Sequence, residues 1–284
     1  MHTEVFTKLL KRQPDTHKYQ YGHVLVAGGS PGMVGAPLLA GSAALRTGAG
    51  LVTIASGGEV VDKLEKRVKE IMTLALPEDP AEAAAKIESF VSERKVSVVV
   101  IGPGMAVTPE TRTLVEKLLD TVRLPIVIDG GALGVLQRHL DRLDSAVSKS
   151  LILTPHTGEF QRLTGGELPT GQSALKDLAA SFAEDHTVTL VLKGRPTYVA
   201  QSDGSVYENN TGNPGLATAG TGDVLAGVIA GMIAQGIEPP QAAEAAAYLH
   251  GLAGDIAAAD KTEPGMVAGD VVDALPSALK RIKE

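Results

Sequence analysis

Short, unbroken apolar runs recur along the chain: HVLVAGG (23–29), LVTIAS (51–56), VSVVVIG (96–102), PIVIDGG (125–131), SLILTP (150–155), VTLVLKG (188–194) and PTYVAQ (196–201). A strand with one wet face alternates apolar and polar residues, whereas an unbroken run suits a strand buried on both faces. Between most of these runs lie helical patterns, at 35–47, 81–94, 108–121 and 175–185. Strands alternating with helices predict a mostly parallel sheet with helices on both sides. The segment 196–209 breaks the rule, because Asp203–Gly204 between two short strand-like runs predicts an antiparallel hairpin at the sheet edge. From Asp223 onward the pattern is nearly all helical, and no repeat, low-complexity tract or long linker interrupts it. One α/β domain over 1–284 is the simplest organisation.

Composition narrows the class. A chain of 284 residues can bury a sizeable core, and 44% hydrophobic with 21% charged residues is ordinary for a soluble globular protein. The net charge of −7 argues against nucleic acid as a partner. With no cysteine, disulfides, thiol nucleophiles and cysteine-ligated metals are excluded. The N-terminal MHTEVFTKLLKRQPDTHK lacks the apolar core of a signal peptide. The apolar stretch 224–237 is shorter than the roughly 20 residues a membrane span needs. A cytoplasmic protein with no membrane partner is therefore expected.

Glycines gather where strands end: GGSPGMVGA after the first, then GPGM, DGGAL, TPHTGE and KGRPT. In open α/β sheets, ligands bind outside the carboxyl ends of the strands, so these clusters are expected to line one crevice. Neither a P-loop nor a G-x-G-x-x-G fingerprint is present. The stretch NTGNPGLATAGTGDVLAG (209–226) carries the sharpest signal. Gly220, Thr221 and Gly222 sit at the mouth of an apolar helix, where turned backbone amides and the helix dipole make an anion hole. Asp223 beside that hole would repel a bound phosphate unless it does chemistry or holds a metal. Its expected task is to take the proton of a hydroxyl that attacks phosphorus, although an acid at that position also serves as an ordinary helix cap. The helix after it, apolar all round and punctuated by Gly227 and Gly231, is expected to be buried.

The block NTGNPGLATAGTGDVLAG resembles the signature of the ADP- or ATP-dependent NAD(P)H-hydrate dehydratases. So, in the same order, do YGHVLVAGGSPGMVGAPLLAGSAALRTGAGLVTIAS (21–56), IGPGM (101–105), LTPHTGEFQRL (153–163), LKGRPTYVA (192–200), HGLAGDIAAA and MVAGDVVDALP. The resemblance implies a ribokinase-like three-layer αβα sandwich with a mostly parallel central sheet and no separate lid domain. It implies dehydration of hydrated NADH and NADPH (NADHX and NADPHX) by phosphorylation of the C6 hydroxyl and elimination of phosphate, with ADP or ATP as phosphoryl donor and Mg²⁺ as cofactor. Asp223 would be the base, and Gly220, Thr221 and Gly222 the anion hole. Lys193, Gly194, Arg195, Pro196 and Thr197, with Gly222, resemble the family's nucleotide-binding residues. Ala36, Gly104, His156, Asn213 and Asp223 resemble substrate contacts, with Asn210 ranked lower. No carboxylate pair names the Mg²⁺ ligands. The family implies a homo-oligomer, a tetramer, working here as a stand-alone dehydratase beside a separate epimerase.

Two positions depart from the family pattern. Asp129–Gly130–Gly131 stands where D-A-D is usual, and His17–Lys18–Tyr19 stands where H-K-G is usual. Two other readings stay open on the residues: a small-molecule kinase of the same fold, and a nucleotide-binding protein without turnover. The alanine-rich 242–259 stretch could pack internally or between subunits.

Overall fold

The computed structural model describes residues 3–283. Its strands are β1 (His23–Ala27), β2 (Leu51–Gly57), β3 (Met72–Leu76), β4 (Val98–Ile101), β5 (Ile126–Ile128), β6 (Leu151–Leu153), β7 (Thr189–Leu192), β8 (Thr197–Ala200) and β9 (Val206–Asn209). They form one sheet in the order β3-β2-β1-β4-β5-β6-β7-β8-β9. Neighbours from β3 through β7 pair in parallel, and β8 is antiparallel to both β7 and β9. The hairpin expected from Asp203–Gly204 is therefore present at the edge, and Gly204 takes the left-handed φ of +81° that its turn needs.

The unbroken apolar runs are explained by burial on two sides. In β1, Val24 and Val26 enter one core while Leu25 and Ala27 enter the other. β3 gives no such signal in the sequence, because MTLAL is half exposed at the opposite sheet edge. One face of the sheet is covered by the helices Gly35–Thr47, Thr221–Ala234, Pro239–Lys261 and Ala268–Lys283. The other is covered by Pro80–Glu93, Pro109–Thr121, Thr157–Thr164 and Gln172–Asp185. The alanine-rich 242–259 stretch packs internally, with Ala242, Ala243, Ala245 and Ala246 fully buried. No helix among the described residues is long and apolar enough to cross a membrane.

Strand order reverses between β2 and β4, on either side of β1. That is the switch point where α/β sheets bind ligands. The loops leaving β1 and β4 meet there, with the Gly29 amide donating to the Pro103 carbonyl at 2.8 Å. Behind them the Thr221–Ala234 helix lies against the Gly35–Thr47 helix, backbone to backbone. A Cβ on Gly227 would run into the Ala40 carbonyl, and one on Gly231 would come within 2.8 Å of the Ala44 carbonyl oxygen. The helix that bears Asp223 is thereby fixed to the sheet through its neighbour.

Candidate functional site

The helix carrying Asp223 begins at Thr221, with Gly220 as its cap in the left-handed region at φ +93°. A helix's first-turn amides find no acceptor in their own helix; here the Thr221 amide donates back to the Thr218 carbonyl at 3.4 Å, and Gly222 and Asp223 follow at the positive end of the dipole. The Thr221 hydroxyl donates to the Leu216 carbonyl at 2.7 Å. His250 Nε2 donates to the Thr221 carbonyl at 2.9 Å. Burial lowers the pKa of His250 to about 4, so its ring is neutral.

Three acids and one lysine meet beside this helix start. Lys193, at the end of β7, reaches Asp129 Oδ1 at 3.2 Å and Glu159 Oε2 at 3.8 Å. Asp129 is buried at the end of β5 and also accepts the Thr154 hydroxyl at 2.7 Å. Asp223 is half-buried. Burial first, then the negative charge of Asp129, push its carboxyl up to about 7, against the pull of Lys193. That places the group where a general base works best near neutral pH.

Adjacent to this helix start is a cavity of about 340 Å³, within the usual range for a small-molecule site. Its walls include His156, Lys193, Gly194, Arg195, Thr197, Asn213, Thr221, Gly222 and His250. Among the described residues the walls carry two basic side chains and no carboxylate, although the chain's net charge is −7. Such a surface suits an anion. The 194–197 turn is closed on itself, since the Thr197 hydroxyl donates to the Gly194 carbonyl at 3.0 Å. The Arg195–Pro196 bond within it is cis.

His156 caps the Thr157–Thr164 helix. Its Nδ1 accepts from the Gly158 and Glu159 amides at 3.0 and 3.3 Å. In that tautomer the proton sits on Nε2, which faces Glu159 Oε2 at 3.5 Å at the cavity wall. Asn213 is used at both ends: Oδ1 accepts the Gly215 amide at 2.9 Å and Nδ2 donates to Asp255 Oδ1 at 3.0 Å. Asp255 also accepts the Gly212 amide at 3.0 Å. Gly251 and Gly254 let their helix approach, since a Cβ on either would strike Thr211 or Leu216. HGLAGD is thus the frame on which the 211–221 loop rests.

Most of the residues singled out in the sequence come together here. His156, Lys193, Gly194, Arg195, Thr197, Asn213, Thr221 and Gly222 line the cavity, with Pro196 in the same turn and Gly220 and Asp223 flanking the helix start. Ala36 and Gly104 lie outside the cavity walls and against each other, a Cβ on Gly104 falling 3.0 Å from that of Ala36. Asn210 is exposed and bonds Glu208 at 3.4 Å. The glycine clusters therefore divide: the first three pack on one another and the last two open onto the cavity. Sequence reasoning left Asp129 without a partner and missed Glu159, which bonds His156 three residues away and also reaches Lys193, and His250 and Asp255, whose partners lie far along the chain.

The departure at 131 has a steric reason, because a Cβ on Gly131 would run into the Met105 carbonyl. A second acid does not fit there. Nor do the residues present offer a cage for Mg²⁺. No group of three or more His, Asp or Glu side chains poised for a metal exists among the described residues, and the Lys193 ammonium lies between Asp129 and Glu159.

The NAD(P)H-hydrate dehydratase family model matches residues 24–277. The bifunctional NAD(P)H-hydrate repair enzyme of Moorella thermoacetica is 44% identical over 281 residues, covering 98% of this chain and 53% of that protein. The chain spans about half the length of the bifunctional relatives it matches. The ADP/ATP-dependent NAD(P)H-hydrate dehydratase of Bacillus subtilis, co-crystallised with ATP/Mg²⁺, superposes with a TM-score of 0.83 at 31% identity, covering 99% of this chain and 97% of that one. A ribokinase-like superfamily protein of Enterococcus faecalis gives 0.80 at 28% identity, covering 99% and 94%. The expected family resemblance and sandwich are borne out.

Proposed function

Because the chain belongs to the NAD(P)H-hydrate dehydratase family, we propose that it restores hydrated NADH and NADPH at the expense of ADP or ATP. One observation carries the reading: Asp223 stands at a glycine-built anion hole with its carboxyl raised to about 7.

Hydroxide is a poor leaving group and phosphate a good one, so the hydroxyl must first be phosphorylated. The ionised Asp223 takes the proton of the C6 hydroxyl as its oxygen attacks the terminal phosphorus of the nucleotide. The new O–P bond forms, the old one breaks, and the nucleotide leaves with the electron pair as AMP or ADP. The amides at the start of the Thr221–Ala234 helix and the Lys193 ammonium hold the charge that gathers on the transferring group. The C6–O bond then breaks, phosphate departs with its electron pair, and loss of a proton from C5 restores the ring double bond. Lys193, Gly194, Arg195, Pro196 and Thr197 receive the nucleotide, and His156 contacts the hydrated substrate. Ala36 and Gly104 border the hydrated ring. The described residues offer no cage for Mg²⁺; bound with the nucleotide, it would supply neutralisation of part of the phosphate charge.

Hydration removes the dihydronicotinamide absorbance, so its recovery reads the reaction directly. Purified protein with hydrated NADH and Mg²⁺ should restore that absorbance with ADP or ATP, and not without nucleotide. Failure to do so by folded, nucleotide-binding protein would overturn the proposal. A homotetramer in the cytoplasm, working beside a separate epimerase, completes the reading, and light scattering tests the assembly.

A further inference from the structure

Asp129 occupies the cap position of the Gly130–Val135 helix, yet its side chain makes no capping bond. An aspartate there ordinarily accepts the helix's own amides. This one turns away and gives one oxygen to both Thr154 Oγ1, at 2.7 Å, and Lys193 Nζ, at 3.2 Å. The lysine so held ends up in an awkward place. Its Nζ lies 2.9 Å from where a Cβ on Gly222 would stand, in the first turn of the Thr221–Ala234 helix. The positive end of a helix dipole disfavours a cation. Only the absence of a side chain at 222 lets the ammonium come so near, and only the acids behind it offset the repulsion. A cation held against a helix start makes a doubly positive spot that suits an anion.

We infer that Asp129 is a positioning residue: it holds the Lys193 ammonium at the anion hole, from which the lysine turns to the transferring phosphoryl group when nucleotide binds. Asp129 touches neither substrate nor phosphate and acts through Lys193. The inference rests on the phosphoryl-transfer reading above. A second consequence follows from the same geometry, because the charges that face Asp223 are those of this cluster. Asp129 and Glu159 oppose its ionisation and Lys193 favours it. His156 stands on the wall beside them, and His250 is neutral behind the helix start. Removing either member of one ion pair must therefore move the ionisation of Asp223 in opposite directions. A general loosening of the site would move both variants the same way.

The test follows the Asp223 carboxyl by carbon NMR in protein labelled at aspartate, with the resonance assigned by its loss in Asp223→Asn. Asp129→Asn should lower the titration midpoint by about one pH unit and Lys193→Gln should raise it by a similar amount. In steady-state assays Asp129→Asn should cut kcat roughly 10- to 100-fold, with ADP affinity measured by calorimetry nearly unchanged. Midpoints that stay put, or that move together, overturn the inference, as does an Asp129→Asn enzyme with wild-type kcat. Should Asp129→Asn fail to fold, Thr154→Val, which removes the other bond to the same Asp129 oxygen, takes its place: kcat should fall with ADP affinity nearly unchanged, and wild-type kcat overturns the inference. Wild-type protein that repairs no hydrated cofactor, yet shows opposite shifts, would sink the functional reading and leave the positioning intact.

Discussion

The two helical layers that cover the sheet are built from different residues. Where Pro80–Glu93, Pro109–Thr121 and Gln172–Asp185 pack, the core is made of large side chains such as Ile87, Leu118, Leu119, Phe160 and Phe182. Where Gly35–Thr47, Thr221–Ala234 and Pro239–Lys261 pack, it is rich in alanine, and glycines bring main chain against main chain. Leucines can re-pack around a change of volume. A glycine whose missing Cβ would meet a carbonyl cannot. The site's helix is mounted on the unyielding layer, as a group held to within a fraction of an ångström requires. The other layer contributes Glu159 and the capping His156 through a short helix at its rim and otherwise closes the core.

The comparison predicts that activity and stability separate differently in the two layers. The largest effect is expected at Asp223. Asp223→Asn should lower kcat by about 10²–10⁴-fold and yet stabilise the protein at pH 8. The folded carboxyl titrates at about 7, well above the unfolded value of about 3.9. Its contribution to stability is complete below that lower value and is lost as pH rises through about 7. The variant's advantage in Tm should therefore be present at pH 8 and gone by pH 4 in calorimetry.

Next comes a matched pair. Gly227→Val forces a side chain into the Ala40 carbonyl and should cost about 3 kcal/mol or more, taking kcat down with it because the Asp223 helix must shift. Leu118→Ala, fully buried in the opposite layer, should cost about 2–5 kcal/mol and leave kcat unchanged well below its Tm. Denaturant melts beside steady-state assays read both, and equal losses of kcat would break the comparison.

The pH dependence of kcat/KM should rise through a midpoint near 7, set by Asp223, and the Asp223→Asn residue of activity should lose that limb. A smaller effect is expected at Asp255, which holds the Gly212 amide and Asn213 at 3.0 Å each. Asp255→Ala should raise the KM for nucleotide roughly tenfold, about 1.4 kcal/mol, with less change in kcat. The smallest is Asp79→Ala, which removes a cap accepting the Ala81 and Glu82 amides at 2.9 Å. It should cost about 1 kcal/mol and nothing in activity.

The sequence announced what local pattern and single motifs can carry. Strands buried on both faces betray themselves as unbroken apolar runs, and the 221–234 helix by its uniform apolarity. β3 was hidden because an edge strand with half-exposed residues has no such run. The Thr157–Thr164 helix gives little signal in the sequence, because its cap is a histidine rather than a serine or threonine, although Glu159 completes a capping box. The 220–223 stretch stands out as a candidate site because its residues are contiguous. The partnership of Asp129 with Lys193 does not, since 64 residues separate them in the chain. His250 and Asp255 were visible within HGLAGD, but their work lies in contacts 29 and 42 residues away.

The tight seam between the Gly35–Thr47 and Thr221–Ala234 helices has a bearing on heredity as well as on mechanics. Where a backbone carbonyl occupies the space that any side chain would need, one residue type is admissible. Drift is arrested at such positions whether or not they touch a ligand. Gly227 and Gly231 are therefore expected to persist through divergence as a mould of the neighbouring helix. What makes this stretch readable at a distance is in part the shape of its neighbour, written into it by exclusion.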